Sequence, residues 1–418
     1  MKARIFTYFS LLFAFLAGAP QYAQAETCTQ ILDPGANVAS AVSAAANGSV
    51  ICLNSGNYGT VNFTNIKRSG FVTVQSASGL GARMAIGEIY DSRYIKFDSL
   101  TFDWVSVREC STDIQFLNST WIPGGGGLVF NYTQPCSQTD MRLLVDNGTF
   151  SAVSRAGYEG RLSARSVSGL TISNSLFEKQ PSTSGAASDG IMLVGNSTNV
   201  TIGPGNLFRD IVQSQCGSVH CDAIQMYGNG SGTVINGNYF VNNTVHIGNY
   251  DGGSPNMKIV HNVFDGGQTG QNLQIGGVRG MLMEHNTFHG VVLGIGTKSG
   301  DTQHSGWVVQ NNIFDAAKFT ASGDQPGCGS DCVMRFNLKS NGGSTTPTGT
   351  NSITANAIYV GTGSPTNWSG WQLATTSPGK NAGNDGQDMG VLFSTTESPT
   401  TPLPTAVAPS PPTGLTVK

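Results

Sequence analysis

The stretch from Val167 to Phe314 repeats one short phrase. It runs Ser168-Gly-Leu-Thr-Ile-Ser-Asn-Ser-Leu-Phe177, then Asn199-Val-Thr-Ile-Gly-Pro-Gly-Asn-Leu-Phe208, then Gly232-Thr-Val-Ile-Asn-Gly-Asn-Tyr-Phe240. It continues as Met257-Lys-Ile-Val-His-Asn-Val-Phe264, Met281-Leu-Met-Glu-His-Asn-Thr-Phe288 and Trp307-Val-Val-Gln-Asn-Asn-Ile-Phe314. The Phe-to-Phe intervals are 31, 32, 24, 24 and 26 residues. A recurrence of this length signals a solenoid. The alternation inside each phrase signals a strand rather than a helix.

Equivalent residues on successive coils of a parallel β-solenoid sit about 4.8 Å apart. The Phe residues would then stack inside, each contributing roughly 1.5–3 kcal/mol when buried. Asn206, Asn238, Asn262, Asn286 and Asn312 each precede the Phe by two. An amide donates to one neighbour and accepts from the other, so a column of them satisfies itself at a buried turn. The pattern resembles right-handed parallel β-helix proteins, the architecture of pectate lyases, alginate lyases and polygalacturonases. The expected class is all-β, a right-handed parallel β-helix solenoid with an N-terminal helical cap.

Composition agrees. Of 418 residues 55 are Gly, and only 11% are charged, which suits strands and tight turns. Lys2 and Arg4 precede an apolar run and then Ala23-Gln-Ala25, so residues 1–25 read as a secretory signal. No other stretch could span a bilayer. Without Lys2 and Arg4, 20 basic residues face 25 acidic ones, and no basic patch suggests nucleic acid. A secreted or periplasmic monomer acting on a polysaccharide is expected. Eight Cys in that setting suggest disulfides, and proximity pairs Cys28 with Cys52, Cys110 with Cys136, Cys216 with Cys221 and Cys328 with Cys332.

Along the chain, Val38 to Ala46 is Ala-rich and helix-compatible, and it feeds the strand that starts at Ile51. The solenoid is expected over residues 26–394, with one more coil at Asn351 to Tyr359 that places Asn356 in the Asn column. Residues 395–418, rich in Pro and Thr, read as a flexible tail.

After each Phe comes a second strand: Asp189 to Gly195, Asp222 to Gly228, Thr244 to Gly248, Asn272 to Gly276, Val291 to Gly296 and Cys332 to Asn337. The linker into it is long after Phe177, Phe208 and Phe314 and shorter between. Insertions in a solenoid map to loops on one face, so two walls with three lower coils between them are expected. That is a groove of roughly 14 Å, enough for about three sugar rings. Alternation turns Ile191, Leu193, Ile224, Met226, Val245, Ile247, Leu273 and Ile275 inward. It turns Met192, Gln225, Tyr227, His246, Gln274 and Arg335 outward.

The sharpest local signal is His220-Cys-Asp222-Ala-Ile-Gln225. Asp222 starts its strand where Asp189 starts the previous one, so the two carboxylates would lie about 5 Å apart. They could share Ca2+ with Asp251 as a third oxygen ligand. They could form a retaining-glycosidase pair. Or each could cap the adjacent turn. His220, ahead of Asp222, resembles loosely the His-x-Asp motifs of some alginate-modifying enzymes.

Lyases of acidic polysaccharides abstract a proton alpha to a carboxylate, which requires a neutralising group, a base and an acid. The candidate catalytic residues are His220, Asp222, Tyr227, His246, Lys298 and Arg335. Gln225, Tyr250, Gln274 and Arg279 are candidate substrate-binding residues. Asp189, Asp222 and Asp251 are the candidate metal ligands. The several Asp plus Arg of pectate lyases and the paired Asp and Gly-His-Gly of polygalacturonases are not visible. Elimination is therefore the leading expectation, with C5-epimerisation, hydrolysis and non-catalytic adhesion as the alternatives.

Overall fold

The computed structural model describes residues 27–133, 140–153, 160–179, 188–216, 221–228, 230–251, 254–267, 270, 272–295, 304–321, 328, 330–341, 349–362 and 365–393. The segments read as leader and tail, together with His220, Lys298 and Cys136, lie outside the described residues.

Strands pair in parallel throughout the two sheets, and the chain winds as a parallel β-helix. Among the described residues one sheet has thirteen strands, from Gln30–Leu32 to Val333–Arg335. The other starts with three long strands, Gly56–Thr64, Ala82–Tyr90 and Thr101–Arg108. The last of these pairs with two shorter strands at once: Phe102 aligns with Trp121, and Val105 with Leu128. From there each coil has a Phe row and a separate second row, and a corner opens between them. Gly127 stands where the second row begins. Its φ is +66°, and a Cβ there would sit 2.2 Å from the Arg161 carbonyl oxygen, so only glycine fits.

The Phe row stacks as the repeat requires. Ring centroids are 4.9 Å apart for Phe177 and Phe208, 4.7 Å for Phe208 and Phe240, and 4.8 Å for Phe240 and Phe264. The pile runs from Trp121 to Phe314 with planes within 14° of parallel. The amide column forms beside it. Asn206 donates to Asn238 at 2.9 Å, Asn238 to Asn262 at 2.9 Å, Asn262 to Asn286 at 3.0 Å and Asn286 to Asn312 at 3.0 Å. All five are fully buried.

Two parts of the expected register change. The second-row strand after Phe314 is Lys318–Ala321, aligned with Val292 to Ile295. Phe319 takes the slot aligned with Leu293, so the strand lacks the run of branched aliphatic residues that marks its neighbours. Cys332 to Asn337 belongs to the next coil: Val333–Arg335 is in the thirteen-stranded sheet, and Asn337 extends the amide column at 3.1 Å from Asn312. The long segment expected as a second wall thus follows the second-row strand instead of preceding it. In the last coil Ser352, not Asn356, takes the amide slot: its Oγ accepts from the Asn337 backbone N–H at 3.0 Å and donates to Thr350 O at 3.4 Å.

The helix is Val38–Ala44, with the Asn37 side chain accepting from Ser40 N–H at 2.9 Å and Val38 and Val42 buried in the core. A short strand, Gln30–Leu32, precedes it. Cys28–Cys52, Cys216–Cys221 and Cys328–Cys332 are disulfides, with Cα separations of 5.6, 6.2 and 5.6 Å. Cys110 is also disulfide-bonded. No helix among the described residues is long and apolar enough to cross a membrane.

Candidate functional site

The corner between the Phe row and the second row swells on consecutive coils. Its connecting segments are short at Ile122 to Gly126, lengthen over 152–159, 179–188 and 210–221, then shorten again at 242–244. At the base of this swelling lies Arg161, a fully buried guanidinium. Its Nη1 donates to the carbonyls of Phe150, at 3.1 Å, and Glu178, its Nη2 to that of Lys179, and its Nε to Ser188 Oγ at 3.2 Å. Ser188 Oγ in turn donates to Val153 O at 2.6 Å. One side chain therefore ties the described ends of two long corner segments together. Burial lowers its pKa to about 9, opposed by the charges of Asp189 and Glu178.

Asp189 follows Ser188 and lies next to Asp222 across the coils, as the register of Ile191 with Ile224 requires. Both are fully buried. Asp189 Oδ1 accepts from the Asp222 backbone N–H at 2.7 Å, the turn-capping arrangement. A carboxylate sealed from solvent does not flank a scissile bond, so this is not the geometry of a glycosidase pair. Asp251 does not join them. Asp222 aligns with Val245, whereas Asp251 aligns with Tyr227 at the other end of the strand, about 20 Å away. The three carboxylates expected to hold calcium thus do not converge. Among the described residues no group of three or more His, Cys, Asp or Glu side chains is placed to hold a metal.

His246 differs from its expected outward position. It is buried, with its ring 5.9 Å from Phe240 and 5.8 Å from Phe264. Its Nε2 lies 2.6 Å from Gly266 O and its Nδ1 3.2 Å from Asn243 Nδ2. The residue after the strand's first position turns toward the Phe pile: a Cβ on Gly190 would meet Phe208 Cδ1 at 3.2 Å, and Ala223 is likewise buried. Period-2 alternation fails at this bend. Burial lowers the His246 pKa to about 4, so the ring is a neutral core group.

Beyond the bend alternation holds. Gln225 and Gln274 share one column with Gly248 between them. Gln225 is only 6% exposed, and Gln274 is half-buried. Tyr227 is 53% exposed. Tyr250 lies in the strand Val245–Asp251. Arg335 is elsewhere, in the thirteen-stranded sheet, where its Nε donates to Gln310 Oε1 at 2.9 Å. Arg279 is exposed at the corner that leads into that sheet, paired with Ser305.

Three features escape the sequence reading. Arg161 and Arg165 come from Gly160-Arg-Leu-Ser-Ala-Arg165, a second-row strand that pairs with Asp189–Val194. The shared register with Asp189-Gly-Ile-Met-Leu-Val194 was the available signal. The third is a His–Asp pair: His289 Nδ1 lies 2.9 Å from Asp265 Oδ1, and Tyr239 OH lies 3.2 Å from Asp265 Oδ2. The Trp371 ring packs 5.0 Å from His289, and its Nε1 donates to Tyr239 OH at 3.4 Å. This pair sits where the segment that follows the last coil closes over the Phe row, burying Trp368, Trp371 and Val391 against Tyr239 and Val263. Its hydrogen bond to Asp265 raises the His289 pKa.

No protein-family profile matches this chain, and no curated protein does. Solved structures do. The PL6 family alginate lyase AlyGC superposes with a TM-score of 0.55 at 14% identity, over 88% of this chain and 57% of that one. The present chain thus spans little more than half the length of that lyase. Pectate lyase Pel9A gives 0.46 at 18% identity, over 87% and 96% of the two chains. The Streptococcus pneumoniae surface adhesin PfbA gives 0.39 at 10%, over 73% and 86%. At these identities the likeness is one of fold.

Proposed function

We propose that the protein binds a uronic-acid-containing polysaccharide on the outer face of the second row, at the strand ends away from the swollen corner, and cleaves it by β-elimination. The observation that carries this reading is the exposed pair Arg165 and Tyr227, held two coils apart on that face through Val194. In elimination a base removes the proton alpha to the carboxylate. The electron pair forms the C=C bond, the C–O bond to the leaving sugar breaks, and an acid protonates that oxygen. Arg165 neutralises the uronate carboxylate, for which a guanidinium is suited. Tyr227 supplies the phenol that exchanges protons. Gln274, half-buried, holds a sugar hydroxyl. The buried Asp pair weighs against hydrolysis. Disulfides fit an oxidising compartment, so the protein works outside the cytosol.

The test is incubation of the full chain with alginate, pectate and glycosaminoglycans, with and without added calcium. Ultraviolet absorbance follows the unsaturated uronate. A rise with one polymer supports elimination. New reducing ends without a rise indicate hydrolysis, and an altered uronate ratio by proton NMR indicates epimerisation. Binding without chemical change indicates an adhesin.

A further inference from the structure

The same row carries an outward-facing line of side chains, exposed at Tyr90, Arg165 and Tyr227 and half-buried between, that is longer than the site just proposed. Tyr90 aligns with Arg108, Arg108 with Asn131, Asn131 with Arg165, Arg165 with Val194, and Val194 with Tyr227. Tyr90 and Tyr227, at its two ends, are 37% and 53% exposed. Successive rungs are about 4.8 Å apart, so the line is about 24 Å long and its two guanidiniums stand about 10 Å apart.

We infer that this line is a track for a polyanionic sugar chain lying along the solenoid axis, with Arg108 and Arg165 each pairing with a carboxylate. The inference deepens the function proposed above and rests on it for the ligand class. It adds the direction of the chain, its spacing, and two residues distant from the corner. A linked sugar chain advances by about one rung per ring, so the two guanidiniums meet carboxylates two residues apart. In an extended chain whose rings alternate in orientation, those are the carboxylates that face one side. The terminal Tyr rings offer flat apolar surfaces for sugar faces, with a polar edge.

Charge on this face favours such a ligand. The Arg165 side chain is exposed and makes no ion pair or hydrogen bond among the described residues. Arg108 faces Glu88 at 3.6 Å with both groups partly exposed, a weak pair that a ligand carboxylate can displace. Glu109, next in the chain, accepts from Thr133 Oγ1 and keeps its charge beside Arg108. The adjacent outward column, Ser106, Val129, Ser163, Met192 and Gln225, carries no charge. In a chain of net charge −3, two guanidiniums on one exposed line are a local exception.

The test is calorimetric binding of the full chain to size-graded uronate oligomers and to neutral oligomers of the same linkage, with cleavage followed in parallel by ultraviolet absorbance. Affinity should rise stepwise once an oligomer is long enough to reach both guanidiniums, and fall with salt. Arg108→Gln should weaken binding of long oligomers at least about fivefold and leave disaccharide binding unchanged. Lys258→Gln, the same loss of charge on the thirteen-stranded sheet, should leave both unchanged. Equal binding of neutral oligomers, or an Arg108→Gln effect that is absent, independent of length or matched by Lys258→Gln, would overturn the track. Length-dependent binding without unsaturated product upholds the track and removes the elimination reading. Product without length dependence does the reverse.

Discussion

Asn262 and Asn286, distant by one full coil, share one oxygen. Asn286 Oδ1 accepts from Asn262 Nδ2 at 3.0 Å and from the Asn262 backbone N–H at 3.0 Å. Asn262 Nδ2 also reaches Ile235 O and Val260 O, both at 2.9 Å. Replacing Asn262 by Ala leaves several buried groups unpaired, and each such loss costs about 1–3 kcal/mol. The Asn262→Ala protein should therefore unfold at clearly lower urea with unchanged circular dichroism. An unchanged midpoint would show that the amide column contributes nothing.

The aromatic pile makes a parallel case. Phe240 is fully buried, 4.7 Å from Phe208 and 4.8 Å from Phe264. Phe240→Ala should cost about 3–5 kcal/mol in urea unfolding, because a cavity opens between two rings that cannot close up.

Stability should depend on pH through two histidines with opposite signs. His246 has a lowered pKa in the fold, to about 4, so its contribution is complete above the unfolded value near 6.5. It is lost as pH falls from there toward 4, by roughly 3 kcal/mol. His289 has a raised pKa, because Asp265 favours its charged form. Its contribution is present below the unfolded value and lost as pH rises through the folded one. Melting temperature against pH, for the parent, His246→Phe and His289→Gln, separates the two. His246→Phe should flatten the acid limb and His289→Gln the limb above about pH 6.5.

Arg161 should prove structural and positioning at once. Arg161→Met leaves the carbonyls of Phe150, Glu178 and Lys179 without this donor. It also leaves Asp189 beside an uncharged side chain. A loss of about 3–5 kcal/mol is expected, as when one partner of a buried charge pair is removed. Arg161→Lys keeps the charge but not the fork of donors, so it should recover part of the melting temperature. Limited proteolysis should then show faster cutting of the chain in 179–188. Equal proteolysis in parent and variants would contradict the tying role.

The fold was legible because its signals are local and repeated. Phe177, Phe208, Phe240 and Phe264, each two residues after a fixed turn position, can be counted on the page. The disulfides Cys28–Cys52, Cys216–Cys221 and Cys328–Cys332 were legible from proximity. The candidate site was less so. His246 lies at a bend where two successive residues, His246 and Ile247, are both buried, and alternation carries no information about bends. Arg335 was assigned to the wrong row because Lys318–Ala321 holds a single inward aromatic, whereas Cys332 to Asn337 looks more like its neighbours. Arg161 depends on carbonyls of residues 150, 178 and 179, and backbone partners leave no mark in a sequence. His289 and Asp265 meet because coils stack, and Trp371 joins them from far along the chain.

The most direct measurement is the rate of unsaturated uronate formation by the parent, Tyr227→Phe and Arg165→Gln, on the polymer that the substrate panel identifies. Both side chains are exposed, so melting temperatures should stay within about 1 °C, as surface changes usually do. The expected result is a fall in kcat/KM of at least about a hundredfold for Tyr227→Phe, the scale of a lost proton-transfer group. Arg165→Gln should lose a comparable factor. Parent activity that persists undiminished in both variants would contradict the assignment of the reaction to this face.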